Sequence, residues 1–339
     1  MKMRSIIIVL FGSCLLHSCQ NKADQPDVSD IKINLVTERF EKNLFDTTSN
    51  NLMSYLVQLQ QGTPSFTATY LRTILNVDPT WPIDTVANYV NGFIQAYRPV
   101  YEKSTQLFSD FKPYENEIRT GLQHVKHYFP DYKIPGKIIT YIGPADGYGD
   151  ILSEEGLIVG LQHHLGKDFP LYRSELVQQT YPEFISRRFE PEYISVNAIK
   201  NVVNDLYPEK EEDKPLINQM IEKGKRLYVL GRLLPEQEEH RLIGYTKEQF
   251  KESVDKEAVV WDLFIKNSYL QVLDKNIIKN YLGESPKTPE LGEGAPGNIG
   301  AFAGWQIVKK YMRQNPGISL PQLMNTDTEQ IFQEAKYKP

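Results

Sequence analysis

Both cysteines of this 339-residue chain, Cys14 and Cys19, stand among its first nineteen positions. Everything after them must therefore hold together without a disulfide framework and without a cysteine-ligated metal. A hydrophobic core has to carry the fold, and the supply is adequate. With 20 Tyr and 15 Phe, wholesale disorder is excluded. A mean hydropathy of −0.44 excludes a polytopic membrane protein. A formal net charge of −5 and a pI near 5.8 argue against a nucleic-acid partner, which needs a basic face.

The same N-terminal stretch carries an address. Lys2 and Arg4 precede an apolar run from Ile6 to Leu16, too short for the 18 or so apolar residues that span a bilayer but suited to a signal peptide. It ends in Leu16-His17-Ser18-Cys19, an aliphatic residue, a tolerant position, a small residue and a thiol. That order suits cleavage after Ser18 and acylation of Cys19, as in a bacterial lipoprotein. Each buried methylene of an acyl chain such as palmitate adds about 0.8 kcal/mol, so two or three chains fix a protein to a membrane. Loss of residues 1–18 leaves 36 basic against 43 acidic side chains, a charge of −7. Residues 19–30 read as the lipidated cysteine and a flexible tether, and 31–339 as a single domain without repeats or long linkers. The tether lacks a dense acidic cluster, which favours a periplasm-facing position.

Within the body, Ile31, Ile33 and Leu35 alternate with polar residues as in a half-buried strand. Leu52, Tyr55, Leu56 and Leu59 fall at helical spacing, stopped by Gly62 and Pro64. Val86 to Ile94 is helix-like until Pro99, and Ile118, Leu122, Val125 and Phe129 mark a helix closed by Pro130. Residues 137–143 (KIITYIG) and 156–161 (GLIVGL) read as neighbouring strands joined by a Gly/Asp-rich turn. After Pro182 the pattern is helical again, with stripes at 216–228, at Phe250, Val254, Ala258, Trp261 and Phe264, and at Ala301, Trp305, Val308 and Met312. The fold class is α+β, predominantly helical with a small sheet.

Chemistry-bearing motifs are scarce. There is no HExxH, no GxSxG and no Walker loop. His124 and His127 sit three apart on one helix; a metal is conceivable, but a helix end answering the macrodipole explains them better. His163 and His164 are adjacent and should face opposite ways, one buried and one exposed. Gly292, Gly294 and Gly297 spell GxGxxG, yet no strand precedes them, so they read as a loop feeding the Ala301 helix. The acidic runs 209–213 and 236–239 read as solvated surface. Neither a cofactor nor a metal is expected.

In order behind the lipobox, residues 160–172 (GLQHHLGKDFPLY), 187–194 (RRFEPEYI), 220–235 (MIEKGKRLYVLGRLLP), 243–249 (IGYTKEQ), 258–264 (AVVWDLF), 297–312 (GNIGAFAGWQIVKKYM), 317–323 and 337–339 form a familiar set. Their combination resembles the GldB family of gliding motility lipoproteins of the Bacteroidetes. The resemblance implies an envelope lipoprotein of the gliding machinery, tied to the type IX secretion system, anchored through its N-terminal lipid and touching other envelope proteins. It also implies a zincin-like scaffold of degenerate gluzincin type. Glu222, in IEKGK, would then be the relic of a third metal ligand, while the segment from Pro182 to Leu206 holds no histidine. Zinc needs three protein donors and a water, so such a scaffold is catalytically dead. The expected role is a non-catalytic interaction component. The alternatives are a lipid-anchored zincin-type peptidase, whose metal would depend on Glu222 or His163, and a glycan-binding lipoprotein using Trp81 or Trp261. Trp261 lies on an apolar stripe and reads as core.

Overall fold

The two central strands of this chain form where β-branched residues run together between glycines. In the computed structural model, which describes residues 25–48, 51–54, 56–57, 65–210, 213–292 and 294–339, four strands make one sheet. They are β1 (Val36–Arg39), β2 (Lys137–Tyr141), β3 (Ile151–Ser153) and β4 (Gly156–Gly160), in the order β1-β2-β4-β3. β1 and β2 run parallel with Val36 opposite Lys137, and β2 and β4 run parallel with Ile138 opposite Leu157. β4 is buried throughout and β2 nearly so, the pattern of strands covered on both faces. The two were rightly expected to be neighbours. Their connection is more than a turn, because it contains β3, which closes the sheet as an antiparallel edge. At three half-buried residues β3 is too short to leave a period-2 signal.

The expected strand at 31–35 is a correction. Its alternation is real, with Ile31 and Ile33 half-buried, Leu35 buried and Lys32 and Asn34 exposed, but it forms no ladder. Its carbonyls are bonded by side chains of the helix Lys112–Tyr128. Gln123 donates to Ile31 O at 2.8 Å, and Arg119 donates to Ile33 O and to Leu35 O, the latter at 3.0 Å. Every second carbonyl is thus satisfied from one helix face, and pairing with a strand begins only at Val36. Packing also starts earlier than expected. Of the residues read as tether, 25–30 are described, and Val28 is only 6% exposed. The signal region, Ser18 and Cys19 lie outside the described residues, as do Tyr55, Leu59, Gly62 and Pro64.

The rest is helical. Ile83–Ala96, Arg98–Leu107 and Lys112–Tyr128 fall in the crossover between β1 and β2. Ile118, Leu122 and Val125 are fully buried and Phe129 nearly so, as their spacing predicts. Beyond the sheet come Ile194–Leu206, Leu216–Leu233, Glu239–Ile243, Lys247–Asp255, Glu257–Lys266, Lys275–Leu282, Ile299–Gln314, Leu320–Asn325 and Thr328–Ala335. The stripe from Phe250 to Phe264 belongs to two helices, not one. They part at Lys256 (φ −108°, ψ 21°), and Val254 is 43% exposed. The loop at 292–297 feeds the Ile299 helix as expected, with Glu293 outside the described residues.

Leu216–Leu233 and Ile299–Gln314 form the central pair, and two glycines let them touch backbone to backbone. A Cβ on Gly224 would lie 2.3 Å from Gly304 C and O, and one on Gly304 would lie 1.8 Å from Met220 O. Around this contact Ile217, Met220, Ile221, Trp305 and Val308 are all buried. One hydrophobic cluster runs from Leu35 to Tyr337 and includes Trp261.

Candidate functional site

The adjacent histidines end up close to where β4 leaves the sheet, in a tight turn at Leu161–His163. A 3₁₀ turn does not alternate sides, so the expected split into one buried and one exposed ring fails. His163 and His164 are 5% and 0% exposed. His163 Nε2 bonds to Ala145 O at 2.9 Å, so that nitrogen donates, and the ring stacks on Phe189 at 4.3 Å and 14°. Burial pushes its pKa down to about 4, which keeps the ring neutral.

His164 is the opposite case. Its Nδ1 faces Glu190 O at 3.0 Å and its Nε2 faces Asp150 Oδ2 at 2.8 Å. Both partners accept, so both ring nitrogens donate and the ring is an imidazolium. Asp150 Oδ2 also accepts from Asn197 Nδ2 (2.8 Å), Oδ1 accepts from Gly160 N (3.0 Å), and the Asp150 carbonyl accepts from Asn201 Nδ2 (3.0 Å). Burial would raise Asp150, but the imidazolium and these donors outweigh it and hold the carboxyl below its ordinary range. Burial would likewise depress His164, and the Asp150 carboxylate holds it above. Sequence reasoning missed Asp150, Asn197 and Asn201. The available signal was two histidines after a glycine-bounded strand, plus asparagines at i and i+4 on one helix face. With side chains 1% and 5% exposed, this ion pair ties the β3–β4 end of the sheet to the Ile194 helix.

His124 and His127 do not come together around a ligand. His124 is buried with Nδ1 lacking a hydrogen-bond partner, and burial lowers its pKa, so it brings no positive charge to the helix end. His127 is exposed in the last turn of the same helix.

Glu222 sits on the Leu216 helix between two cations. Its Oε2 lies 3.2 Å from Lys225 Nζ and its Oε1 3.2 Å from Arg226 Nη2. Lys225 is 2% exposed and donates to Thr326 O at 2.6 Å; Arg226 is 7% exposed and donates to Tyr207 O. A zinc ion at Glu222 would stand against both positive groups. Among the described residues no three His, Cys, Asp or Glu side chains converge on one point. These residues do not fit zinc, and Glu222 is the counter-charge of two buried bases.

Arg226 also faces a cavity of about 180 Å³ between the Ile194, Leu216, Glu239 and Ile299 helices. Leu227, Leu230, Leu242, Ile243 and Leu282 form its apolar walls. Its carboxylates are engaged. Glu209 accepts from Lys223 at 2.6 Å and Glu284 from Arg188 at 2.9 Å. Glu209, Lys210 and Asp213 are exposed, as expected of the run at 209–213, and Glu209 also borders the cavity; Glu211 and Glu212 lie outside the described residues. In the 236–239 run Glu236 and Glu238 are exposed as expected, whereas Glu239 is half-buried and accepts from Lys309 at 2.6 Å, and Lys309 lies 4.1 Å from the Trp305 ring centre. Lys200 enters the cavity without a hydrogen bond or ion pair to any described residue. The side chain is exposed along part of its length. Protein atoms crowded around the ammonium, with the Arg188 guanidinium, still push it below the ordinary lysine range. Trp81, 37% exposed, meets Tyr89 edge-on at 5.5 Å beside an open groove, whereas Trp261 is core.

The body is thus a helix-rich α+β fold built on a four-stranded sheet. No helix among the described residues is long and apolar enough to cross a membrane. The family model for the gliding motility protein GldB matches residues 21–339. The chain belongs to that family, and with it to the gliding motility lipoproteins. No curated protein and no solved structure matches it.

Proposed function

We propose that this lipoprotein is a non-catalytic interaction component of the gliding apparatus, working alongside the type IX secretion system. In this reading residues 1–18 are removed, Cys19 carries the acyl chains, and the 31–339 domain faces the periplasm on a short lead of chain. The carrying observation is that the groups best suited to acid–base chemistry are locked away. Asp150 and His164 have 5% and 1% of their side chains exposed, and Glu222 is spent on Lys225 and Arg226. A catalytic group has to reach substrate within hydrogen-bond distance, and these are already bonded to the protein. What a lipid-fixed rigid body does supply is raised local concentration at a membrane surface, where weak contacts between envelope proteins become effective.

The test is genetic. A clean deletion should abolish colony spreading, the intact gene should restore it, and a Cys19→Ala copy should not. Spreading by the deletion strain at the normal rate would refute the role. Mass spectrometry of the protein from native membranes should find fatty chains on Cys19.

A further inference from the structure

We propose that the cavity beside Lys200 captures the C-terminal residue of an extended polypeptide, with an apolar side chain in the pocket, its α-carboxylate on Lys200 and its backbone N–H on Asn298. The proposal rests on the interaction reading above and names the chemistry of the partner.

Four observations converge. The volume, about 180 Å³, is a little above the roughly 150 Å³ that admits a benzene-sized group. One large apolar side chain fits, and a long acyl chain or a nucleotide does not. The walls that would receive it are aliphatic, from Leu227, Leu230, Leu242 and Ile243. Lys200 makes no hydrogen bond or ion pair with a described residue, and the two carboxylates lining the cavity, Glu209 and Glu284, already have Lys223 and Arg188 as partners.

The fourth observation concerns Asn298. It stands at the N-cap of the Ile299–Gln314 helix, where an asparagine side chain ordinarily accepts from the first turn. Here its backbone is left-handed (φ 56°, ψ 30°), the side chain makes no capping bond, and Oδ1 is buried with no hydrogen-bond partner. Arg226 is 7% exposed, lines the same cavity, and has Nε buried with no partner. Unsatisfied buried polar atoms cost free energy unless something pairs with them. A terminal peptide residue offers an acceptor pair for Lys200 and Arg226 and one N–H for Asn298. A free fatty acid has the carboxylate but no N–H.

The test uses the full-length protein in nanodiscs and a short peptide labelled at its N-terminus and ending in free leucine, followed by fluorescence anisotropy. Saturable binding is expected. The same peptide with a C-terminal amide should bind at least tenfold more weakly, because one charge-assisted hydrogen bond is lost. Octanoate should compete poorly. Lys200→Met should weaken binding about tenfold, and Lys200→Arg should restore much of it. Lys200 is an exposed residue, so both variants should keep the native circular dichroism spectrum. Equal affinity for acid and amide, tight competition by octanoate, or no saturation at millimolar peptide would each overturn the proposal. Such a failure would leave the spreading assay untouched, so the two readings fall separately.

Discussion

Replacing Gly304 by alanine tests the central helix pair, because the sign of the effect is at stake. In a solvent-facing helix a Gly→Ala change gains up to about 1 kcal/mol from reduced unfolded-state freedom and better propensity. Gly92, exposed in the Ile83–Ala96 helix with nothing within 4 Å of where a methyl group would sit, should show that gain. At Gly304 the methyl carbon would fall 1.8 Å from Met220 O, whereas ordinary contact starts at 3.4 Å. The helices would have to part by about 1.6 Å, the difference of those two distances, and the obstacle is backbone that no rotamer change can move. Overpacking costs about 1–3 kcal/mol where side chains can yield, and more where they cannot. Set against the propensity gain, Gly304→Ala should lose about 2 kcal/mol or more. Urea unfolding followed by circular dichroism, with Gly92→Ala as the control, measures both. A Gly304→Ala midpoint at or above that of the unsubstituted protein would refute the account of this interface.

Three further outcomes follow from the buried ionic groups. Glu222→Gln should destabilise by about 3–5 kcal/mol in the same urea assay, since it strands Lys225 and Arg226 without a counter-charge; a neutral effect would contradict their pairing. Asp150→Asn should cost a similar amount and drop the His164 pKa below the ordinary histidine range, which ring-proton NMR titration would show as a neutral ring at pH 7. His163, neutral when folded with a pKa of about 4 against about 6.5 when unfolded, binds a proton more readily in the unfolded chain. Its contribution is intact above pH 6.5 and falls by about 3 kcal/mol as the pH drops to 4, so His163→Phe should flatten stability over that window.

Much of this fold was legible because helical spacing reports burial directly. Ala301, Trp305, Val308 and Met312 are all buried as their period demands, and residues 137–141 and 156–160 are strands because β-branched runs between glycines leave little else. What escaped was decided by partners far along the chain. The 31–35 segment has a strand's alternation, but Arg119 and Gln123 claim its carbonyls from 84 to 92 positions away. Glu222, expected as the relic of a ligand, is the exception, because its partners Lys225 and Arg226 lie three and four positions on, a helical pairing that the sequence does carry. His163 and His164 deceived because a tight turn has no alternating faces. Lys200 and Asn298 left no mark at all, since their interest lies in bonds they do not make.

The clamp on residues 31–35 also decides how the domain would respond to being pulled. Any tension arriving along the N-terminal chain reaches three carbonyls held by Arg119 and Gln123 before it reaches β1. Those bonds lie side by side, so they would share the load in shear instead of opening one at a time. The grip is ionic at its base, because Arg119 is itself braced by Glu115. Tension entering from the N-terminal side is thus taken up at the edge of the fold, and the sheet behind it is spared.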